Sequence, residues 1–599
     1  MKNKIQVLVF CVTFFVAVSF ALGRTEGTMA FTVSMEQPNT HYYHVVFRCE
    51  GMKGETQDFK MPAWTPGYYR IMDFAKNATR FRAEDGSGNS LAWEKTEKNI
   101  WQVKCGEAKS ITVSYDVYAF DRSVADCFLD DSKGYIAPAG LFMYVAGRLQ
   151  HPVTVTVKPY KEWKTVSTGL EPVEGKQNTF FAPNFDVLYD CPIFVGNQEV
   201  LSFEVDGIPH KVAINEPGDF DRDKLVSILK RMVESAVAII GEIPYRHYTF
   251  IMMGEGQGGL EHQNSMAVFS SVPNLDDPND YNRWLSFIAH EFFHLYNVKA
   301  IRPIALGPFD YDKENYTNML WVSEGFTVYY EYLILNRAGF MSRDEVLEKV
   351  QNIIGSYENV PGRLYQSVTE ASFNAWIQSF FGRGGNAANT TISYYDKGAA
   401  LGMLLDLKIR HETKNQKSLD DVMQVLYQKY YKEKKRGFTD EEFREVCESV
   451  AGCPLPEIFE YASTVKDIDY PKYLAYAGLD IEVEPNELPE AYFGADARDQ
   501  NGNLVISSVE WDSPASHAGL SEEDEIIALD DRRVNSEKMD EILNSKKPGD
   551  KVRVLISRRD MIYEVEVVLG NKTERTFNIK PISNPNPLQS EILNDWLKD

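Results

Sequence analysis

The chain has 599 residues, with 63 Lys and Arg against 87 Asp and Glu, and therefore carries a formal net charge of −24. A chain of this length is expected to form about two to four domains. A surface this acidic repels the phosphates of nucleic acids and the headgroups of anionic lipids. We therefore expect neither nucleic-acid binding nor peripheral membrane binding.

The N-terminus has the pattern of an export signal. Lys2 and Lys4 precede an apolar run over residues 5–22, and small residues at 19–23 offer cleavage sites. We predict a signal peptide over residues 1–23 and a periplasmic or extracellular protein. An uncleaved anchor is the alternative, because the run approaches the length of a bilayer span. No later segment is apolar enough for membrane insertion.

Residues 24–197 have the pattern of a β-sandwich-like domain. Apolar and polar side chains alternate over residues 111–118 and 153–158, which is typical of half-buried strands in an antiparallel sheet. A turn-forming cluster at residues 84–89 separates such runs. Proline, glycine and aromatic residues at 62–69 interrupt the pattern, and we expect this loop to serve packing rather than chemistry.

Residues 198–480 combine a short β region with a long helical one. Apolar residues over 225–233 follow helical spacing, residues 248–253 have strand character, and helical patterns dominate from 281 to 470. A glycine-rich stretch at 254–265 lies between them. It lacks the Gly-Lys-Ser/Thr of a phosphate-binding loop, so we expect its glycines to permit the close approach of another backbone.

Short strands return over residues 481–572, and residues 573–599 form a C-terminal tail. The tail is either loosely held or docks through a last helix that contains Trp596. The chain as a whole is thus predicted to be a multidomain α+β protein. Its cysteines include no Cys-x-x-Cys pair, which disfavours a cysteine-based zinc site. Their spacing leaves open whether Cys447 and Cys453 form a disulfide.

The sequence His290-Glu291-Phe292-Phe293-His294 carries the clearest chemical signal. On a helix, positions i and i+4 share a face, so both histidines can reach one metal ion beside a carboxylate. A catalytic zinc site needs a third ligand, for which Glu314 and Glu324 are the candidates. We favour Glu324, because a carboxylate in its apolar and aromatic surroundings is costly unless it has a partner.

These motifs together resemble the gluzincin metallopeptidases. Residues 321–326 are similar to the Trp-x-x-Glu-Gly-Phe segment of the M1 aminopeptidases, but the link over residues 295–323 is longer than theirs. A closer resemblance is to the M61 family, the glycyl aminopeptidases, and covers nearly all of the mature chain. It is carried by motifs at residues 290–299, 301–303, 367–376 and 391–398.

The M61 resemblance implies a thermolysin-like, mainly helical zinc peptidase domain over residues 198–480. One Zn²⁺ ion is held by His290, His294 and Glu324, and Glu291 acts as the general base. Tyr395 is implied to donate a hydrogen bond to the developing oxyanion, with Tyr394 as the competing choice.

The same resemblance implies how a peptide substrate is held. Glu261 is expected to pair with the free α-amine, which would make the enzyme an aminopeptidase. Gly258 and Gly259 let the peptide align along the strand. Without that pairing, Glu261 would be a surface residue in a glycine loop.

The C-terminal region resembles a PDZ domain. Residues 492–495 match its carboxylate-binding loop, and residues 513–520 and 524–529 match two further motifs of bacterial PDZ domains, although Glu523 replaces a usual glycine. This resemblance implies a C-terminal peptide or an intramolecular ligand as the partner.

We therefore expect an exported zinc aminopeptidase that prefers small N-terminal residues such as Gly or Ala, a preference implied by the resemblance alone. Two alternatives stay open. One is a zinc endopeptidase to which the PDZ domain delivers chain ends. The other is a non-catalytic, peptide-binding scaffold protein.

Overall fold

The computed structural model describes residues 28–256, 258–378 and 385–599. The predicted signal peptide, residues 1–23, lies outside the described residues. Within these ranges, none of the helices combines the length and the apolar composition that a bilayer span needs.

The N-terminal region consists mainly of β-strands whose side chains alternate between buried and more exposed positions. The strands are β1 (Met29–Ser34), β2 (Tyr42–Glu50), β3 (Thr56–Lys60), β4 (Ala78–Asp85), β5 (Trp93–Glu97), β6 (Ile100–Lys104), β7 (Ser110–Tyr118), β8 (Phe128–Leu129), β9 (Gly134–Ile136), β10 (Tyr144–Val145), β11 (Val153–Lys158), β12 (Thr165–Thr168), β13 (Glu171–Pro172), β14 (Thr179–Ala182) and β15 (Ile193–Gly196), with helix α1 (Phe185–Tyr189) before β15. Among the described residues they pair in the orders β13-β14-β11-β1-β2-β7-β4, β10-β3-β6-β5 and β12-β15-β9-β8. The predicted β-rich N-terminal domain is confirmed.

A smaller sheet begins the central region and carries one wall of the site. Its strands are β16 (Glu199–Val205), β17 (Ile208–Ile214), β18 (Tyr248–Met252), β19 (Gly259–Glu261) and β20 (Ser265–Val268). The order β16-β17-β18-β20-β19 places β19 at an edge of the described sheet. Helix α2 (Arg222–Ile240) separates β17 from β18. It starts where Asp221 accepts a hydrogen bond from the Lys224 N–H and stops at Gly241, whose φ of +80° ends the helix.

Helices dominate the rest of the central region, as the sequence predicts. They are α3 (Pro278–Phe293), α4 (Phe326–Arg337), α5 (Arg343–Glu358), α6 (Val368–Phe373), α7 (Ala375–Gln378), α8 (Tyr394–Glu412), α9 (Leu419–Leu426), α10 (Asp440–Ala451), α11 (Pro456–Ser463) and α12 (Tyr470–Leu474). Helix α8 is the central one: it is almost entirely buried, and α4 and α5 pack against it. Its position fixes the turn before α4, which contributes to the site.

The C-terminal region alternates strands and short helices. Its elements are β21 (Leu479–Tyr492), β22 (Ala495–Gln500), β23 (Asn503–Val509), α13 (Pro514–Ala518), β24 (Glu525–Leu529), β25 (Arg532–Arg533), α14 (Ser536–Asn544), β26 (Lys551–Arg558), β27 (Met561–Val568), β28 (Gly570–Pro581) and α15 (Pro587–Trp596). The long strands β21 and β28 pair with each other and connect this region to the helical one.

The end of the chain docks on the helical region rather than hanging loose. The buried Trp596 donates its indole N–H to the Tyr329 hydroxyl at 2.7 Å. The six cysteines of the described residues are all free thiols, so Cys447 and Cys453 do not pair.

Candidate active site

Two histidines and a glutamate from neighbouring segments converge on one point. His290 lies in the last turn of α3, and His294 follows directly after that helix. Glu324 lies in a π-helical turn, Trp321–Gly325, immediately before α4. The two histidine Nε2 atoms are 3.0 Å apart, and Glu324 Oε2 lies 3.6 Å from His290 Nε2 and 3.2 Å from His294 Nε2. One ligand atom from each residue thus lies within 4.8 Å of the others, which is close enough to hold one metal ion; Glu314 is not part of this group.

Hydrogen bonds on the far side of each ring fix which nitrogen faces the cluster. His290 Nδ1 lies 2.8 Å from Glu331 Oε2, and His294 Nδ1 lies 2.7 Å from the Asn297 carbonyl. A carboxylate and a carbonyl can only accept, so each Nδ1 carries a hydrogen and each neutral ring keeps a lone pair on Nε2. Ser286 Oγ donates to the other oxygen of Glu331 at 2.7 Å, which holds that carboxylate in place.

This arrangement fits a bound cation. Two lone pairs 3.0 Å apart beside a carboxylate repel one another unless a positive charge lies between them. Burial opposes the charge of Glu324, yet the two imidazoles hold its pKa at about 2. Burial also opposes the imidazolium form of His290, yet Glu324 and Glu331 raise its pKa well above the usual value. Both shifts report attraction between the Glu324 carboxylate and positive charge beside it, and two histidines with one glutamate form a donor set typical of Zn²⁺ in hydrolytic enzymes.

Glu291 lies beside the cluster and faces a cavity. Burial raises the pKa of this carboxyl to about 7, with the neighbouring histidines opposing the shift. A Cβ atom placed on Gly259, in the edge strand β19, would lie 2.3 Å from Glu291 Oε1. Only glycine therefore lets this strand approach the carboxylate so closely, which is the close approach that the glycine-rich sequence predicts.

Two further glycines, Gly325 and Gly398, allow α8 to pack closely against the turn that carries Glu324. A Cβ atom on Gly325 would lie 2.4 Å from the Cα atom of Gly398, so the two backbones are in direct contact. This crossing places Tyr395, in the first turn of α8, with its ring centroid 6.2 Å from that of His290. Tyr394 stacks on Tyr395, with centroids 4.9 Å apart, and is the more deeply buried of the two.

Glu261, at the end of β19, belongs to a buried group of charges. Lys299 Nζ lies 2.9 Å from Asp190 Oδ1 and 3.4 Å from Glu261 Oε1. Burial opposes the charge of Asp190, but Lys299 and His262 outweigh it and hold the pKa of Asp190 at about 2. Glu261 Oε1 is buried and, among the described residues, accepts no hydrogen bond. One ammonium group thus serves two carboxylates, and an oxygen of Glu261 is left without a donor.

A cavity of about 820 Å³ joins these groups. Its floor includes His290 and Glu291 from α3, and its walls include Gly258 just before β19, Gly259 from β19 and Tyr395 from α8. The N-terminal domain covers the opposite side with two loops. These contribute Gly67, Tyr68, Tyr69, Arg70, Arg122, Ser123 and Val124. The loop at residues 62–69, which the sequence analysis assigns to packing, therefore also lines the cavity, and that expectation is corrected.

The predicted carboxylate-binding loop of the C-terminal domain lies at another cleft, of about 540 Å³. The Gly494 carbonyl accepts hydrogen bonds from Ser513 Oγ and from the Glu510 N–H, both at 3.0 Å, which fixes the loop in front of β22. The central region forms part of the cleft. Asn389 donates to the Val509 carbonyl at 3.0 Å and accepts from the Trp511 N–H at 3.0 Å.

Two functional neighbours of the cluster were not found from the sequence. Glu331 lies seven residues after Glu324, and that spacing on a helix could have indicated it. Lys299 lies within the quoted motif at residues 290–299, but its partner Asp190 is 109 positions away. Nothing local in the sequence connects those two.

Comparison with known protein families identifies three domains. The Peptidase M61 N-terminal domain matches residues 30–197, the M61 glycyl aminopeptidase domain matches residues 283–401 and a PDZ domain matches residues 491–569. No curated protein sequence is similar to the chain at a significant level.

The chain is similar to several solved structures. An aminopeptidase N family protein from Idiomarina loihiensis superposes with a TM-score of 0.86 and 28% identity, over 96% of this chain and 100% of that chain. An M1 zinc metallopeptidase from Deinococcus radiodurans gives a TM-score of 0.47 and 11% identity, over 74% and 94% of the two chains. Aminopeptidase A from Legionella pneumophila, in complex with aspartic acid, gives 0.48 and 12%, over 93% and 57%.

The fold and the matched domains define a peptidase with a β-rich N-terminal domain and a helical catalytic domain. The chain carries two domains of the M61 peptidase family, the N-terminal domain and the glycyl aminopeptidase domain, followed by a PDZ domain.

Proposed function

We propose that the protein is an exported zinc aminopeptidase that removes small N-terminal residues such as Gly or Ala. The observation that carries this proposal is the position of Glu261 in the same short edge strand as Gly259, which lines the cavity and touches Glu291. A peptide that lies extended along β19 would then reach Glu261 with its amine and Glu291 with its first peptide bond.

His290, His294 and Glu324 would hold one Zn²⁺ ion. A bound zinc ion supplies Lewis acidity, which polarises a peptide carbonyl and makes water easier to deprotonate near neutral pH. Glu331 and the Asn297 carbonyl keep both imidazoles in the tautomer that leaves Nε2 free to bind it. The donor set supports zinc over magnesium or calcium, which prefer oxygen ligands.

Glu291 would move the protons of the reaction. Its carboxylate oxygen accepts a proton from the attacking water and then delivers it to the nitrogen of the leaving amine. A carboxyl with a pKa near 7 can perform both steps at neutral pH. Tyr395 would donate its hydroxyl hydrogen to the oxyanion that develops on the substrate carbonyl, and its position beside His290 supports that role.

Glu261 would bind the substrate's α-ammonium group. Lys299 is shared between Asp190 and Glu261, and it lies closer to Asp190. A substrate ammonium would donate a hydrogen bond to the buried Glu261 Oε1, which otherwise has only the long ion pair with Lys299. A peptide with a blocked N-terminus could not form this charge-assisted hydrogen bond, which explains why the site would reject it.

A preference for small first residues has support from a nearby tyrosine. Burial raises the pKa of Tyr69, and the charges of Glu324 and Glu261 raise it further, so this side chain lies near both carboxylates. It also lines the cavity, so it is a bulky group near the place that the first side chain of a substrate would occupy. Export is supported by the N-terminal sequence pattern alone.

The test compares matched peptides with free and N-acetylated termini, with and without a chelator. We expect cleavage of the free peptide only, after its first residue, and loss of activity when metal is removed. Glu261→Gln should lower kcat/KM for the free peptide by about tenfold or more, because a charge-assisted hydrogen bond is lost. Equal cleavage of both peptides would remove the aminopeptidase assignment and favour an endopeptidase.

A further inference from the structure

Three arginines on the rim of the active-site cavity have no acidic partner. Arg70, Arg122 and Arg283 are exposed and line the cavity. In the part of the chain that the structure describes, none of them has a carboxylate oxygen within 4.0 Å. Other cations of the described residues are paired, for example Lys60 with Asp312 and Lys133 with Glu216, whereas Arg122 acts on Glu216 only from beyond contact distance. Among the described residues, the mouth of the cavity therefore carries positive charge that no carboxylate contacts.

The cavity has a direction, which can be followed along the edge strand. Glu261 lies at one end of β19, next to Gly67 of the covering loop. Gly259, two residues earlier, touches Glu291 and Phe287. Gly258 comes next and approaches Val124, where a Cβ atom would lie 3.6 Å from Val124 Cγ2. The strand thus leads from the proposed amine anchor, past the catalytic carboxylate, to the loop that carries Arg122.

Helix α3 leads to the same end of the cavity. Arg283 precedes Phe287 by one helical turn and His290 by two, so the three side chains share one face. Seven residues of helix span about 10 Å. Two or three extended residues beyond the scissile bond span about 7 to 10 Å, which matches that distance. Arg122 and Arg283 therefore flank the position of the chain end of a di- or tripeptide product or substrate.

We propose that Arg122 and Arg283 form a subsite for a substrate carboxylate beyond the scissile bond. This inference rests on the proposed aminopeptidase function, because the amine anchor sets the direction of the peptide. The carboxylate is either the C-terminus of a short peptide or an acidic side chain near it. Arginine suits both, since its planar guanidinium binds a carboxylate with two hydrogen bonds.

The test compares the full-length enzyme on three peptides: Ala-Ala-Ala as free acid, the same peptide as C-terminal amide, and Ala-Ala-Glu amide. We expect the free acid to have a kcat/KM about five- to tenfold above that of the Ala-Ala-Ala amide. The effect is modest because the guanidinium groups are exposed to solvent. If Ala-Ala-Glu amide matches the free acid, the subsite accepts a side-chain carboxylate. If it matches the Ala-Ala-Ala amide, the subsite accepts the chain end only.

Substitutions then assign the effect to the two arginines. Arg122→Gln and Arg283→Gln should each reduce the ratio of acid to amide, and the double variant should bring it to about one. Arg498→Gln is the matched control, because it removes an equally exposed, unpaired arginine of the described residues from the PDZ domain. In the wild-type enzyme, added salt should also shrink the ratio.

Two results would overturn the inference: equal rates on acid and amide in the wild type, or an unchanged ratio in the double variant. Neither result touches the amine anchor, which is tested separately with N-acetylated Ala-Ala-Ala. Cleavage of that blocked peptide would instead refute the aminopeptidase proposal itself.

Discussion

Replacement of Glu331 tests how far the metal site depends on a residue that is not a ligand. Glu331 is buried and accepts one hydrogen bond from His290 Nδ1 at 2.8 Å and one from Ser286 Oγ at 2.7 Å. Glu331→Gln keeps an acceptor for the imidazole and a donor for the serine, but it removes the negative charge. Glu331→Ala leaves both donors buried without a partner.

The structure sets the size of the expected effects. Loss of a carboxylate that orients a metal-binding histidine typically weakens metal binding by about 10- to 100-fold. The Gln variant keeps the hydrogen bond from His290, and its amide can donate to Ser286 Oγ in place of accepting from it, so we expect about tenfold weaker zinc binding. The Ala variant also loses the orientation of His290, so we expect about a hundredfold.

The assay is competition for Zn²⁺ between the full-length protein and a chromogenic chelator of known affinity. Glu358→Gln is the control, because it removes an equally buried carboxylate whose partners are Tyr470 and Arg575. Unchanged zinc affinity in both Glu331 variants would refute the reasoning. So would equal losses in Glu331→Gln and Glu358→Gln, because the effect would then be one of general stability.

Three further predictions follow from the same geometry. Gly325→Ala should lower the free energy of unfolding in urea by about 1 to 3 kcal/mol, because its Cβ would press on another backbone. The control is Gly355→Ala in α5, whose Cβ would make only an ordinary contact at 3.8 Å, and this variant should be neutral or stabilising. A larger loss of stability in Gly355→Ala than in Gly325→Ala would contradict the close contact between the backbones of Gly325 and Gly398. Asp190 should contribute about 2 kcal/mol to the free energy of unfolding above pH 4, because its folded-state pKa of about 2 lies below the usual value. This contribution should be lost as the pH falls through that pKa. The difference in the free energy of unfolding in urea between the wild type and Asp190→Asn should therefore become smaller from pH 4 to pH 2. Tyr395→Phe should lower kcat about a hundredfold with little change in KM, and an unchanged kcat would assign the ring to packing.

The local parts of the site could be predicted from the sequence, and the long-range parts could not. His290 and His294 are one helical turn apart, so their convergence follows from the repeat of the helix. Glu324 required a second argument, the cost of a buried carboxylate in apolar surroundings, and the structure brings it to both histidines.

The charge group around Lys299 shows where sequence reasoning stops. Asp190 follows α1 of the N-terminal domain, Lys299 follows α3, and Glu261 lies in β19. Their contact exists only because a β-rich domain packs on the catalytic one, and no periodicity in the sequence reports that packing. The same holds for Arg122, which reaches the cavity from a loop of the N-terminal domain.

The electrostatics of the cavity connect the proposed metal and the proposed amine anchor. Glu291 and Glu331 line the cavity, and Glu261 and Glu324 are buried beside residues that line it. Among the described residues, Lys299 is paired with Glu261 alone of these four. Buried carboxylates in such numbers either take up protons or are matched by bound cations. Without an ion the protein takes the first course, since burial raises the pKa of Glu291 to about 7. A divalent ion and a substrate ammonium together would supply the second. Because each would lower the excess of negative charge that attracts the other, their contributions to binding should be less than additive. Metal binding should therefore release protons, and the amine anchor should discriminate most strongly against blocked peptides when Glu291 is ionised.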